Sequence, residues 1–458
     1  MIFRIFIVML LLPLTLVMGQ FTIVNTLKTT DASNLKIGDN AYLTAVKGVD
    51  ANGAGFLRLT EAKTNQKGYM YVMDSFPTTM GFIADFEYKA WRNVADNTYF
   101  GADGFTFFMF DGAITDANFK LGGYGGSLGY ATFSNPANTN GLSGGYIGIG
   151  FDAFGNYIRA VENRNGLTGS DYLPNSVVIR GPSSPTYALS NVYLASAALG
   201  NRTGTLNDIR KRDEIDYNTT TTTRPADNVF YRRVQVSIVK GNPDYTVTIR
   251  WRKQNETTFT DILTYRMSAS AYPLPARLKI GFAGSTGGGF NAQEIRNILL
   301  TTPGNLRVDS RSNTAFVCND KVNEIIYRVE VTNDTASSLS GIKFNSKILD
   351  KAGAVVPQSQ FKITSITTTG FTSSTIPATN STNQISGDLG LGANKSGIVT
   401  ITGQYFKNSM KNNLTLNNVS TIESPIPDED PSNNTTTTSV NILKCGLISN
   451  PVLPSYPK

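Results

Sequence analysis

Four glycine-punctuated segments hold the residues with chemical reach: Gly101-Ala-Asp-Gly-Phe-Thr-Phe-Phe108, Gly122-Gly-Tyr-Gly-Gly-Ser-Leu-Gly-Tyr-Ala131, Gly145-Tyr-Ile-Gly-Ile-Gly-Phe-Asp-Ala-Phe-Gly-Asn156 and Leu278-Lys-Ile-Gly-Phe-Ala-Gly-Ser-Thr-Gly-Gly-Gly-Phe290. None continues into the Gly-Lys-Ser/Thr of a phosphate loop. Asp152, the carbonyl of Phe154 and Asn156 stand at alternate positions after a strand-like run. They can present hard oxygens in one arc, the donor type that calcium takes at about 2.3–2.6 Å. Asp, Asn and Phe together also suit sugars. Planar side chains bridge neighbouring hydroxyls, and a ring offers a platform for the apolar face.

Composition removes most other chemistry. The 458 residues include no His and only two Cys. No Ser-His-Asp or Cys-His nucleophile system, HExxH zinc protease or imidazole-ligated metal site can be built. Two Cys cannot form a four-thiolate zinc site or hold an iron–sulfur cluster in the usual way. Hydrophobic residues make up 40% and charged residues 16%, enough apolar surface for a large core. The net charge is +7 and the pI near 9.1. The positive residues are scattered, apart from Arg210, Lys211 and Arg212 directly before Asp213 and Glu214. The surplus reads as solubility, and no nucleic-acid partner is expected.

Met1-Ile-Phe-Arg4 supplies one positive charge, and an apolar run from Ile5 to Val17 leads to Val17 and Gly19, the −3 and −1 positions of a secretory cleavage site. Residues 1–19 are therefore expected to be a signal peptide. The run is too short for a hydrocarbon core of about 30 Å, and no later segment is long and apolar enough to span. The expectation is a secreted or cell-surface protein without membrane insertion, whose two cysteines meet an oxidising compartment.

The elements that must position these residues read as strands. In Phe82-Ile-Ala-Asp-Phe-Glu-Tyr-Lys-Ala90, alternate residues Phe82, Ala84, Phe86, Tyr88 and Ala90 share one face, and Asp85 and Glu87 fall on the other, predicted to be wet. Further strands are predicted at 105–110, 146–151, 234–239, 245–251 and 278–283. No long stretch has a period of 3.6. Residues 201–228, with the charge cluster and the Thr219–Thr223 run, read as a long exposed insertion. After Thr301-Thr-Pro-Gly-Asn305 aromatics thin out while Thr, Ser and Asn rise, which places a domain boundary near residue 305.

In order and spacing the four segments resemble the L-type (legume-type) lectins, especially their bacterial extracellular relatives, over about residues 20–303. The resemblance implies a concanavalin-like (jelly-roll) β-sandwich that binds glycans. It makes Asp103 the carboxylate that accepts hydrogen bonds from sugar hydroxyls, with a cis peptide at Ala102–Asp103. Either Gly123 or Gly126 supplies a backbone N–H to the sugar. Calcium is implied as cofactor, held by Asp152 and Asn156 side chains and the Phe154 carbonyl, with Glu162 or Asp171 as a further acid. Asn156 also bonds the sugar, and the Phe154 ring stacks on it. The 285–291 loop, with Gly287 and Gly288, resembles the variable specificity loop. The family's plant members also bind a transition metal through a Glu two residues before this Asp and a His. Gly150 stands at that position here and there is no His, so no manganese-type site is expected.

Glycoside hydrolases of the laminarinase type share this architecture and carry Glu-x-Asp-x-x-Glu on one strand. The nearest match is Glu214-Ile-Asp216, with Thr219 where the third acid would stand. The chain is therefore expected not to be an enzyme.

The second region carries Tyr327-Arg-Val-Glu-Val-Thr-Asn333 near its start and Asp428-Glu-Asp-Pro-Ser-Asn-Asn434 followed by Val440-Asn-Ile-Leu443 near its end. It is similar to Ig-like repeat modules of bacterial surface proteins, which mostly act as spacers. Cys318 and Cys445 bracket it, and such a sandwich brings first and last strands close enough for a disulfide. The expected organisation is signal peptide 1–19, lectin-like sandwich 20–305, Ig-like sandwich 306–446 and a tail 447–458. The expected function is glycan binding by an exported, all-β protein, with a glycoside hydrolase of the same fold or a protein-binding surface adhesin with a degenerate sugar site as the alternatives.

Overall fold

The computed structural model describes residues 21–445, apart from 80, 94–99, 135–139, 170, 184–189, 241–242, 336–337, 408–413, 426–427 and 429. The expected signal peptide and C-terminal tail lie outside the described residues. The chain divides into two compact units, Phe21–Thr302 and a second that begins at Pro303. Both are built from strands. Among the described residues no helix is long and apolar enough to cross a membrane.

Two eight-stranded antiparallel sheets form the first unit. In one, the order is Thr260–Met267, Tyr245–Lys253, Arg232–Lys240, Phe82–Trp91, Ala292–Thr301, Leu57–Thr60 and Tyr42–Leu43, with Thr22–Asn25 also on Ala292–Thr301. In the other, it is Tyr193–Ala198, Ser176–Arg180, Gly145–Asp152, Gly104–Asp111, Arg277–Ser285, Lys67–Val72 and Leu35–Asp39, with Phe76–Pro77 also on Arg277–Ser285. The core lies between them because each strand turns its alternate apolar residues inward. Phe86 of the first sheet meets Phe107 and Phe282 of the second, with ring centroids 5.5 and 4.8 Å apart. Truncating a side chain so enclosed costs about 3–5 kcal/mol.

The second sheet is covered on its other face as well. Tyr71, Phe108, Phe110 and Val178 pack there against Leu121, Leu128, Tyr130 and Tyr157 from the loops. This accounts for the glycines of the strand Gly145–Asp152. Ile147, Ile149 and Phe151 face the core, whereas Gly148 and Gly150 leave room for the rings of Tyr130 and Tyr157. A Cβ would stand 2.3 Å from the first ring and 2.4 Å from the second. The five shorter stretches predicted as strands all lie within observed strands.

Two expectations are corrected. Asp85 and Glu87 do not form a wet face: Asp85 pairs with Arg233 at 2.7 Å and is 3% exposed, and Glu87 pairs with Arg296 at 2.6 Å. The 201–228 stretch is not simply exposed. It contains the short helix Leu206–Arg210, closed by a capping box in which Thr205 and Asp208 bond each other's backbone N–H. Ile209, Arg210, Ile215 and Asp216 are buried.

The second unit pairs a four-stranded sheet, ordered Leu306–Ser312, Asn323–Asn333, Lys395–Tyr405 and Phe361–Thr369, with a six-stranded one. The latter runs Phe316–Cys318, Thr435–Leu443, Leu414–Glu423, Leu339–Leu349, Gln384–Leu391 and Ser373–Ser374. One apolar cluster contains Tyr327, Val329 and Ile401 from the smaller sheet and Phe344, Leu389 and Val440 from the larger. Phe316–Cys318 runs parallel to the last strand, placing Cys318 opposite Leu443, and Cys318 is bonded to Cys445.

Candidate functional site

The first unit contains a cleft of about 680 Å3 lined by residues from all four glycine-punctuated segments, Asp103, Gly126, Phe154, Asn156, Gly287 and Gly288 among them. Tyr124, Phe133 and Tyr172 add aromatic surface to the same walls.

Asp103 sits at the meeting point. Its N–H donates to the Ser285 carbonyl at 3.1 Å, and its own carbonyl accepts from Ala153 and Phe154 at 3.0 and 3.2 Å. The strand end at Ser285 and the turn after Asp152 are thereby both fastened to it. The Ala102–Asp103 peptide is cis. Behind the loop, Gly101 has φ +88°, and a Cβ there would lie 2.4 Å from the buried carboxylate of Asp216, which Asn291 Nδ2 bonds at 3.0 Å. Only glycine meets both conditions.

The Asp103 side chain is 5% exposed. Its Oδ1 accepts from Asn156 Nδ2 at 3.4 Å. Among the described residues, Asp103 Oδ2 and Asn156 Oδ1 are buried without a hydrogen-bond partner. Burial and then the nearby charge of Asp152 push the Asp103 carboxyl up to about 7, against the Asn156 hydrogen bond and Arg164. Gly126 makes room for Asn156, since a Cβ there would fall 2.3 Å from its carboxamide. Of the two glycines left open by the sequence, Gly126 lines the cleft, and Gly123 lies behind it against Phe133. Gly287 leaves space over Asp103, where a Cβ would stand 3.2 Å from Oδ2.

The expected calcium ligands are arranged differently. Asp152 is fully buried, and its two oxygens accept from the N–H groups of Gly155 and Tyr157, each at 2.7 Å. Burial pushes its carboxyl up to about 7, against those two bonds and the charges of Arg164 and Arg210. The Phe154 carbonyl accepts from Arg210 Nε at 3.2 Å. Glu162 pairs with Arg164 at 2.6 Å, and Asp171 is exposed and does not line the cleft. Of the expected ligands, Asn156 alone has a buried side-chain oxygen without a hydrogen-bond partner, among the described residues. With Arg210 on the Phe154 carbonyl, Arg164 on Glu162 and both guanidiniums beside Asp152, the residues present do not fit calcium. Among the described residues, no three His, Cys, Asp or Glu side chains gather as a metal site. Spacing along the chain suggests a ligand arc, but amides hold the Asp152 oxygens and a guanidinium holds the Phe154 carbonyl.

Sequence reasoning missed those guanidiniums. Arg164, 3% exposed, donates from Nη1 to Glu162 and to Ser127 Oγ at 3.1 Å, and from Nη2 to the Asn156 carbonyl at 3.3 Å. Arg210 lies 3.9 Å over the Phe154 ring, so one face of that ring is covered, and Tyr172 meets it edge-on at 5.2 Å. Lys67 caps the Tyr124 ring at 4.4 Å and donates to the Gly122 carbonyl at 3.2 Å. The charge run 210–214 was the one visible signal for Arg210. Nothing in the local sequence marks Tyr172 or Arg164. The Glu214-Ile-Asp216 pair is split: Glu214 bonds Lys253 at 2.6 Å, and Asp216 is buried beside Asn291.

No family model and no curated protein matches the chain. It is similar to several solved structures. Basic winged bean lectin with Tn-antigen is 14% identical, with 62% of this chain and 98% of that chain covered and a TM-score of 0.39. The metal-free form of lectin I-B4 from Griffonia simplicifolia is also 14% identical, with 62% and 98% covered and a TM-score of 0.38. The exoplasmic/lumenal domain of VIP36, in a Ca2+/Man2-bound form, is 9% identical, with 61% and 87% covered and a TM-score of 0.38.

Proposed function

We propose that this chain is an exported carbohydrate-binding protein whose first unit, a concanavalin-like sandwich, takes a glycan in the cleft over Asp103. The observation that carries the reading is the pair of orphaned acceptors, Asp103 Oδ2 and Asn156 Oδ1, in a cleft walled by Tyr124, Phe133, Phe154 and Tyr172. Buried acceptors without partners are costly, and a ligand rich in hydroxyl donors satisfies them. The rings suit the C–H face of a pyranose, and the carboxylate disfavours an anionic ligand. The glycine loops at Gly126 and Gly287 bring ligand close to those oxygens. On this reading Asp103, Gly126, Asn156, Phe154, Gly287 and Gly288 contact sugar, and the second unit is an Ig-like spacer.

Hydrolysis has less support. It needs two carboxyl groups about 5 Å or more apart, each free to act on substrate. Both Asp152 oxygens are held by amides and Glu162 is paired with Arg164. A glycan array probed with the full chain and with Asp103→Ala tests the proposal. Selective binding lost in the variant supports it; no binding to any glycan, or identical binding by both, overturns it.

A further inference from the structure

Two of the groups expected to surround a divalent ion, the Phe154 carbonyl and Glu162, are held by arginines from different parts of the chain. Arg164 lies eight residues beyond Asn156 and reaches back to its carbonyl, to Glu162 and to Ser127 of the turn Gly125–Ser127. Arg210 arrives from the 201–228 stretch on the helix Leu206–Arg210, with its Nε on the Phe154 carbonyl and its guanidinium on the Phe154 ring. Asn207 Oδ1 fixes the other side of that guanidinium at 3.2 Å. Between them, the two side chains tie down the 152–164 loop and the glycine turn that faces Asn156.

We propose that the guanidinium groups of Arg164 and Arg210 replace a divalent cation in this site, so that the loop carrying Asn156 is held, and ligand recognised, without calcium. A cation in such a loop gathers oxygens from residues distant in sequence and offsets the charge of the acids. Two guanidiniums can do both. Each is planar, permanently charged and rich in fixed donors, and together they carry the charge of one calcium ion. Asp152, fully buried, has Arg164 and Arg210 as its positive neighbours. A calcium ion entering here would compete with Arg210 for the Phe154 carbonyl and with Arg164 for Glu162, share Asp152 with two amides, and sit beside two like charges. The two guanidiniums oppose its binding.

The part concerning ligand rests on the glycan-binding reading; the part concerning calcium does not. The test uses the full chain freed of metal with chelator. Thermal unfolding with calcium or with chelator, and calorimetric titration with calcium chloride, are expected to show the same unfolding temperature and no saturable heat. Glycan binding, read on an array, is expected to be equal in both buffers. Arg210→Met, with fold checked by circular dichroism, is expected to bind glycan at least about 10-fold more weakly, and calcium is expected not to restore it. A calcium-induced rise in unfolding temperature that Asp152→Asn removes would overturn this inference and leave the glycan reading standing. Undiminished binding by a folded Arg210→Met would overturn it too. No glycan binding, with unfolding indifferent to calcium, would end the glycan reading and support the replacement of the metal. If Arg210→Met fails to fold, the wild-type calcium titration still decides.

Discussion

Asp103 and Asn156 share a single hydrogen bond, Nδ2 to Oδ1 at 3.4 Å, and each is left with one oxygen that no protein group bonds. The two residues are 53 positions apart. They meet because the Asp103 carbonyl receives the N–H groups of Ala153 and Phe154, which fixes the start of the Asn156 turn against the Asp103 loop.

Replacing Asp103 with Ala removes one acceptor and leaves the Asn156 amide unpaired. Charge-assisted hydrogen bonds contribute about 1.5–3 kcal/mol each, so glycan affinity is expected to fall at least about 10-fold. The ionised carboxylate accepts from two hydroxyls, and the protonated acid from fewer. With the carboxyl pushed up to about 7, binding is expected to strengthen as pH rises through that value. Titration calorimetry at several pH values, on wild type and Asp103→Ala, checks both effects. Affinity flat across pH 5–8 would contradict the second.

Gly287→Ala places a methyl group 3.2 Å from Asp103 Oδ2. The carboxylate gives by a few tenths of an ångström and its free oxygen is covered. Glycan affinity is expected to drop about 10-fold, one decade being about 1.4 kcal/mol, with little change in unfolding temperature. Equal affinity in the variant would show that ligand does not approach Asp103 from that side.

Asp216 titrates against the fold. Burial pushes its carboxyl up to about 7, with Arg92 and the Asn291 hydrogen bond opposing. An acid whose folded pKa is raised binds more protons folded than unfolded. Stability is then fully present below the unfolded value of about 4 and declines as pH rises towards 7, by up to a few kcal/mol. Asp103 and Asp152 are shifted the same way and add to the slope. Urea unfolding between pH 4 and 8 is expected to show the decline, and Asp216→Asn to make it shallower.

The Cys318–Cys445 bridge closes a loop with a sequence separation of 127 residues. In the chain-entropy model such a loop is worth roughly 4–5 kcal/mol. Cys318→Ser with Cys445→Ser is expected to lower the unfolding temperature of the second unit, read by calorimetry, without changing glycan binding. Intact-mass analysis after alkylation without reductant tests the bond itself, and two alkylated thiols per chain would refute it.

The strands were legible along the chain because alternating apolar residues mark a face turned to a core, but the opposite face was not, as the paired Asp85 and Glu87 show. Phe82, Phe86 and Tyr88 on one face could be read by eye. The absence of His and the scarcity of Cys by themselves limited the chemistry to carboxylates, hydroxyls, amides, rings and backbone. What no stretch of sequence contained was the identity of the partners. Arg210 and Phe154 are 56 residues apart, and Asp216 and Asn291 are 75 apart. Read locally, Arg210 and Asp216 were surface charges on a polar insertion, and Asp152, Phe154 and Asn156 were a calcium arc. A charged group takes its role from whatever low-dielectric surroundings and opposite charge it is folded against. Only the tertiary structure brought Arg210 to the Phe154 carbonyl, Arg164 to the Asn156 carbonyl and a buried carboxylate beneath Gly101. Spacing can nominate donors, but folding decides whether a metal ion, an amide or an arginine meets them.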